Sequence, residues 1–433
     1  MLYLNMKSDT HMTTTTAIIG GGAAGCFAAI NLKRMMPDND ITVYESGKKL
    51  LAKVAVTGGG RCNLTNSFED VRSMDEVYPR GARLMKRLLK EFSHKDAYRW
   101  FERNGVRLVT QDDRCVFPKS QDAMEIVSLL TRLMSESGVR TRTSCRAVSI
   151  KRDGCSGSGG RQERRFRIDF ADGGTAYADN VVVTTGGCQR RESLSMLDSM
   201  ELDMAEPVPS LFSICLPGDS IRELSGTVVD NVTVGICGTK LHASGALLIT
   251  HWGMSGPAIL RLSSYAARML SENGYKARLT VNWMGGMNES EVAELISDLA
   301  AGNMQKQTAS VYPECLNSRL WRNILLNNGL KPEQRWAEMG RKGLNKIVAA
   351  LTNSTYTMDG KNRFKEEFVT CGGVTLGNIN PATMECRKHE GLYFAGEVLD
   401  VDAVTGGFNL QAAWTMGYVV AQSIAGKGTV VQP

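Results

Sequence analysis

Two hydrophobic periods alternate along this chain. Residues 15–19, Thr-Thr-Ala-Ile-Ile, make a short strand, and residues 23–36, rich in Ala, Ile, Leu and Met, have the composition of a helix. Pro37-Asp38-Asn39-Asp40 stops that helix, and residues 41–44 resume the strand pattern. Together they open a β-α-β unit, with glycines at the one turn where the backbone must approach something closely. Leu84, Leu88 and Phe92 recur at helical spacing, while Ser93 with Asp96 reads as a capping box for a helix that ends near Gly105. Residues 123–134 repeat the helical pattern up to Gly138.

From residue 142 the period shifts to paired strands at 144–151 and 165–170, joined by a Gly/Ser-rich hairpin loop at 153–161. Val181-Val-Val-Thr-Thr-Gly-Gly187 is a buried strand running into a glycine turn. Residues 211–216, 228–237, 247–250 and 277–283 read as strands without long helices between them, which predicts an antiparallel insert or small barrel. Asn288 and Glu291 then form a capping box for residues 292–299, and helical patterns follow at 316–326 and 342–351. Strand-then-glycine segments return at 368–374 and 391–396. The chain is therefore expected to leave one α/β domain (1–190), build strands (191–285) and helices (286–354), and come back (355–433).

Length agrees with several cores: 433 residues exceed one ordinary domain of roughly 100–200. Hydrophobic residues at 42% and charged residues at 22% exclude a disordered chain. The net charge of +6 is spread over the whole length, which argues against a nucleic-acid partner. The apolar run at 17–30 contains four glycines and falls short of the roughly 20 residues that span a bilayer, so no membrane segment is expected. Eleven cysteines without a C-x-x-C pair make a secreted disulfide framework improbable, and a cytoplasmic location is expected.

The chemistry starts at Gly20-Gly-Gly-Ala-Ala-Gly25, a G-x-G-x-x-G sequence between a strand and a helix. In that context it means a pyrophosphate seated on backbone N–H groups at a helix N-terminus. Gly20 permits the turn, Gly22 clears space for the ligand, and Gly25 allows helix and strand to pack closely. Glu45, ending the second strand, is placed to accept hydrogen bonds from a ribose diol. Thr57-Gly-Gly-Gly-Arg-Cys-Asn-Leu-Thr-Asn66 follows, with three glycines whose N–H groups can face an anion and an Arg able to neutralise a phosphate. Near the other terminus Gly396-Glu397 and Asp400 to Gln411 run into a helix at 412–421. One helix start for a pyrophosphate and a second for a partly negative ring edge suit FAD better than NAD.

Three phrases resemble the BaiN/YhiN-type flavoproteins, also called the aminoacetone oxidase family. They are residues 47–66, Thr250-His-Trp-Gly-Met-Ser-Gly-Pro-Ala-Ile-Leu260, and Gly391-Leu-Tyr-Phe-Ala-Gly-Glu-Val-Leu-Asp400. The resemblance spans residues 15–425. It implies an α/β architecture: a glutathione-reductase-like, FAD-binding Rossmann domain interrupted by a β-rich, barrel-like domain and a small helical domain. It places Gly20, Gly22, Ala23, Ala24 and Glu45 around the ADP half of FAD. Gly58, Gly59, Gly60, Arg61, Cys62 and Asn63 would lie near the phosphates and ribityl chain. Ala147 and Val148 would offer backbone contacts to adenine, with Thr185 and Gly186 nearby, and Gly396, Glu397, Asn409, Leu410 and Gln411 would surround the ribityl chain and ring. The family usually carries Gly at Ala403, Tyr at Phe408 and Ser at Cys386.

Cys62 has no second cysteine at redox spacing, so it reads as a filler beside the cofactor rather than half of a dithiol. His251 and Trp252 read as a packed turn, and Arg114 to Lys119 as a surface loop or a lid. The histidines show no metal spacing, and no metal is expected. No side chain is singled out as catalytic.

The expectation is an FAD-dependent oxidoreductase of a small organic substrate. With one dinucleotide fingerprint, NADH or NADPH would visit the substrate cleft transiently as electron donor. The resemblance leaves two chemistries open: reduction of a conjugated double bond, as in bile-acid reductases, or oxidation of a small amine by O₂. A flavoprotein with an RNA- or partner-binding role is the alternative of another class.

Overall fold

The computed structural model describes residues 14–153, 165–188, 190–362 and 369–429; of the expected loop at 153–161, only Asp153 falls among them. β1 (Thr15–Ile19), α1 (Ala23–Met35) and β2 (Asp40–Tyr44) follow the sequence pattern to within a residue. They are followed by α2 (Ala52–Gly60), β3 (Thr65–Asn66), α3 (Met74–Val77), α4 (Ala82–Leu88), α5 (His94–Arg103), β4 (Leu108–Thr110) and β5 (Cys115–Pro118). Next come α6 (Ala123–Glu136), β6 (Arg140–Arg142), β7 (Ala147–Asp153), β8 (Arg165–Phe170), β9 (Thr175–Ala178), β10 (Asn180–Val183) and β11 (Met204–Pro209).

The middle of the chain forms β12 (Ile214–Cys215), β13 (Val228–Ile236), β14 (His242–Thr250), β15 (Gly253–Ser255), α7 (Pro257–Tyr265), α8 (Ala267–Glu272) and β16 (Lys276–Asn282). α9 (Glu289–Gly302), α10 (Ser318–Asn327), α11 (Gly340–Asn353) and β17 (Ser354–Asp359) complete it, and β18 (Thr370–Val374), β19 (Leu392–Phe394) and α12 (Phe408–Thr429) end the chain. Two compact units result. One runs to Pro207 and resumes at Thr370; the other is Val208–Val369.

The first unit is built on a five-stranded parallel sheet in the order β19-β10-β1-β2-β6. Parallel strands are covered on both faces, which is why Ala17–Ile19 of β1, Val181–Val183 of β10 and Leu392–Phe394 of β19 are consecutive buried apolar residues instead of alternating ones. α1 is buried from Ala24 to Leu32, all round its circumference, so it lacks a polar face. Phe27 on α1 meets the rings of Phe92, Trp100, Phe101 and Trp414. α12 approaches α1 closely enough that a Cβ on Gly417 would lie 2.7 Å from the Ala24 carbonyl oxygen.

The second unit carries a six-stranded antiparallel sheet in the order β12-β15-β14-β13-β16-β17. Its ends come together: the Cys215 N–H donates to the Gly360 carbonyl at 3.0 Å, and Ile214 bridges Lys361. This is a nearly closed sheet, the barrel-like element expected from the strand spacing. α9, α10 and α11 pack on it through one buried cluster that includes Val234, Trp283, Ile296, Trp321 and Ile347. The capping boxes at Ser93/Asp96 and Asn288/Glu291 are both formed.

Some boundaries differ from the sequence reading. The strand expected at 144–151 begins only at Ala147, because Ser144 has a φ of 53° and Cys145 donates its N–H to the Glu45 carbonyl. Residues 257–265 form a nine-residue helix between the strands expected at 247–250 and 277–283, a stretch given no element in the sequence reading; Pro257 at its first turn was the available signal. The last helix starts at Phe408, four residues before the composition suggested.

An Ala in mid-helix normally gains about 1 kcal/mol over Gly. At Gly417 the clash with the Ala24 carbonyl dominates, at about 1–3 kcal/mol. Gly417→Ala is expected to lower the urea midpoint of unfolding, and Gly417→Leu to lower it further.

Candidate functional site: two glycine loops and two helix starts

The turn between β1 and α1 is made of contacts that only glycine permits. Gly20 sits at a φ of 114°, and a Cβ there would fall 2.4 Å from the Thr184 carbonyl oxygen. A Cβ on Gly25 would fall 2.1 Å from the Gly20 carbonyl. Thr184, which the sequence reading passed over, locks the turn from β10 by donating its hydroxyl to the Gly20 carbonyl at 2.8 Å. Gly22 differs: a Cβ there meets nothing within 4 Å, and no side chain caps the α1 N-terminus. The first amides of α1 are therefore directed at an open face next to Ala23 and Ala24. That is the donor set a pyrophosphate requires.

Glu45 closes one side of this turn. Its carboxylate accepts from the Gly21 N–H at 2.8 Å, the Gly47 N–H at 2.6 Å and the Ser46 hydroxyl at 3.1 Å. A carboxylate has about four acceptor positions, so one remains for a further donor. The Ser144 and Cys145 amides bond to the Gly47 and Glu45 carbonyls, which brings the chain leading to Ala147 and Val148 beside the same carboxylate.

The second glycine loop ends α2. Gly58, Gly59 and Gly60 hold φ values of 61°, 69° and 81°, three successive left-handed residues, and added Cβ atoms on Gly59 and Gly60 would meet nothing within 4 Å. Consecutive N–H groups in such a turn make an anion-binding concavity. Arg61 lies 4.5 Å over the Phe117 ring and donates to the Gly58 carbonyl, so its guanidinium is held at the loop. Cys62 is buried, and desolvation pushes its thiol up to about 12, which makes it unreactive at neutral pH.

This loop meets the C-terminal glycines. A Cβ on Gly407 would fall 2.3 Å from the Thr65 carbonyl and 2.7 Å from the Asn63 side-chain amide. The Thr65 hydroxyl donates to Gln411 Oε1 at 2.6 Å, the Asn66 amide to the Gly406 carbonyl at 3.0 Å, and the Trp414 indole to the Leu64 carbonyl at 3.0 Å. Tyr78, fully buried, donates its hydroxyl to the Phe408 carbonyl at 2.9 Å. Arg80 and Asp402 form an ion pair in which the carboxylate is wholly buried. Neither Tyr78 nor Arg80 carried a recognisable sequence signal.

Asn409 clamps both the N–H and the carbonyl of Ala403 at 2.9 Å, which sets the approach to α12. Leu410 is half-buried, whereas the Gln411 side chain is spent inside the fold, its amide donating to Thr415. Gly396 abuts the start of α1, where its Cβ would meet Ala24 at 3.1 Å. Glu397 accepts from the Thr370 N–H at 2.7 Å and from Lys53 at 3.1 Å, close to Gly186 and Gly187. Thr185 is exposed at that edge. Thus residues from both ends of the chain are gathered around two helix starts. His251 and Trp252 belong to the second unit, where their rings stack edge to face 4.4 Å apart.

Fold and site define an FAD-dependent oxidoreductase of the Rossmann type. The chain belongs to the family of the HI0933-like protein Rossmann domain, whose sequence profile matches residues 14–423. The resemblance carried by the three phrases agrees with that membership. A 3-dehydro-bile acid delta(4,6)-reductase of Clostridium scindens is 28% identical, covering 94% of this chain and 98% of the relative. A ribosomal RNA dihydrouridine synthase of Escherichia coli is 26% identical, covering 94% and 97%. Among solved structures, a 3-ketosteroid delta1-dehydrogenase of Sterolibacterium denitrificans shares the fold, with a TM-score of 0.50 and 13% identity over 96% of this chain and 100% of that one. No described helix is long and apolar enough to cross a membrane.

Two outcomes follow from this geometry. Removing one member of the Arg80–Asp402 pair strands a buried charge, so Arg80→Met is expected to cost about 3–5 kcal/mol in chemical denaturation. The double variant Arg80→Met/Asp402→Leu recovers much of that loss. Iodoacetamide at pH 8 is expected to label the exposed Cys237 and Cys315 in the native protein and to spare Cys62, as read by peptide mass spectrometry.

Proposed function

We propose that this protein reduces a carbon–carbon double bond conjugated to a carbonyl, using FAD and taking electrons from transiently bound NADH or NADPH. The observation that carries this reading is chemical. Two curated relatives bear names that fit reduction of such a bond: one is a delta(4,6)-reductase of a 3-dehydro-bile acid, the other a synthase of dihydrouridine, which is uridine reduced at its ring double bond. Amine oxidation has no comparable support.

In this reading the Gly22, Ala23 and Ala24 amides hold the pyrophosphate and Glu45 accepts from the ribose diol. Ala147 and Val148 present backbone to the adenine, with Thr185 and Gly186 at the edge. Gly58 to Gly60, Arg61, Cys62 and Asn63 line the phosphate and ribityl path. Gly396, Glu397, Asn409, Leu410 and Gln411 lie along the ribityl and ring end, Gln411 through its backbone. FAD supplies the hydride chemistry, so the chain's own residues bind, orient and exclude water. Backbone amides dominate this set, which places fixed dipoles where negative charge gathers without ordering flexible side chains. Cys62 stays a protonated thiol and takes no part in disulfide exchange.

Anaerobic mixing of the holoprotein with NADH or NADPH is expected to bleach the flavin, and a 3-oxo-Δ4 steroid or free uridine to be screened as the reagent that restores the colour. Bleaching by aminoacetone alone, with both nicotinamides inert, would replace the reductase by an amine oxidase.

A further inference from the structure

We infer that Arg80 and Asp402 are a positioning pair whose charge balance sets the reduction potential of the flavin. The inference rests on the proposed placement of the ring edge at the start of α12, in which neither residue touches the cofactor. The two lie 322 residues apart in sequence. Asp402 is wholly buried and Arg80 nearly so, and the guanidinium meets both carboxylate oxygens, through Nε and one terminal nitrogen. Their backbones form an antiparallel bridge, so main chain and side chain pair at the same place.

The pair stands one residue from a clamp on the first turn of α12. Ala403 follows Asp402, and the Asn409 side chain holds the Ala403 N–H and carbonyl at 2.9 Å each. Contacts without charge already fix this loop several times over. The Val404 N–H donates to the Val77 carbonyl at 2.9 Å, and the Tyr78 hydroxyl to the Phe408 carbonyl at 2.9 Å. Gly81 lies so close to Val401 that a Cβ there would fall 2.7 Å from Val401 Cγ2. Holding the loop therefore does not explain the pair. Taking two charges out of water costs about as much as their attraction returns, and apolar side chains of similar size hold such a position equally well.

What apolar substitutes lack is charge, and charge is what the helix start presents. The N–H groups of a helix's first turn amount to about +0.5 of an elementary charge. α12 carries no acidic residue in its first turn to cancel it. A lone Asp402 carboxylate beside that turn would bring a full negative charge, enough to reverse the sign met by a ring edge that gathers negative charge on reduction. Arg80 balances it. The neighbouring carboxylates are engaged elsewhere: Asp400 accepts from the Gly372 N–H at 3.0 Å, and Glu397 from Thr370 and Lys53.

The test measures the midpoint potential of flavin-loaded full-length protein by anaerobic equilibration with redox dyes. Arg80→Gln strands the carboxylate and is expected to lower the potential; Asp402→Asn strands the guanidinium and is expected to raise it. Each shift is expected to change the reduction equilibrium at least about tenfold, which is about 30 mV for a two-electron couple. The double variant Arg80→Gln/Asp402→Asn is expected to return to the parent potential, and Arg80→Lys, which keeps the charge but loses the fork, to stay there. Mere loosening of the helix start would move both single variants the same way and Arg80→Lys with them. Shifts of one sign, no shift, or a double variant that stays displaced overturn the assignment. If one single variant fails to retain flavin, the other read against the double variant still gives the sign. Arg322→Gln, which breaks an exposed pair with Glu333 in the second unit, is expected to leave the potential unchanged. The dye measurement uses neither nicotinamide nor substrate. Opposite shifts in a protein that NADH and NADPH do not bleach would therefore remove the proposed reaction and keep the pair.

Discussion

The structure depends on how closely backbone can approach backbone around the first turn. Gly20 and Gly25 let β1, α1 and the Thr184 strand end meet at distances a side chain would prevent, and Gly417 lets α12 settle on α1 in the same way. Because these contacts leave no room for side chains, the first-turn amides of α1 are presented by packed structure on every other side. A rigid donor set results. Flexible side chains would have to lose conformational freedom to do the same work.

The second constraint is the bonding between residues 57–80 and 396–415. Thr65 to Gln411, Trp414 to Leu64, Tyr78 to Phe408 and Arg80 to Asp402 are buried or largely buried polar contacts far apart in sequence. Their partners cannot be left unsatisfied without a large cost, so they bind the two glycine loops into one arrangement. This explains why the site is poor in exposed reactive side chains: the polar groups nearby are committed to holding the loops. Cys62 illustrates it, being buried within the very loop that makes it conspicuous in the sequence.

Much of the architecture was readable from local pattern. The β-α-β opening was marked by apolar runs, a Pro-Asp-Asn-Asp stop and a glycine fingerprint, and two capping boxes were recognised because their partners lie three residues apart. The short helix after Pro257 was not assigned, since nine residues give too few turns for a helical period to stand out. Ser144 was assigned to a strand because composition is blind to its left-handed φ, which follows from the bond of the next residue to Glu45.

What the amino-acid order determined alone was whatever depends on neighbours a few positions apart: element type, helix starts and the dinucleotide fingerprint. Tertiary structure decided which glycines face open space and which are packed shut, that Gln411 turns inward, and that Arg80 finds Asp402. Those outcomes depend on chain segments brought together from opposite ends, and distance along the sequence carries no information about such meetings.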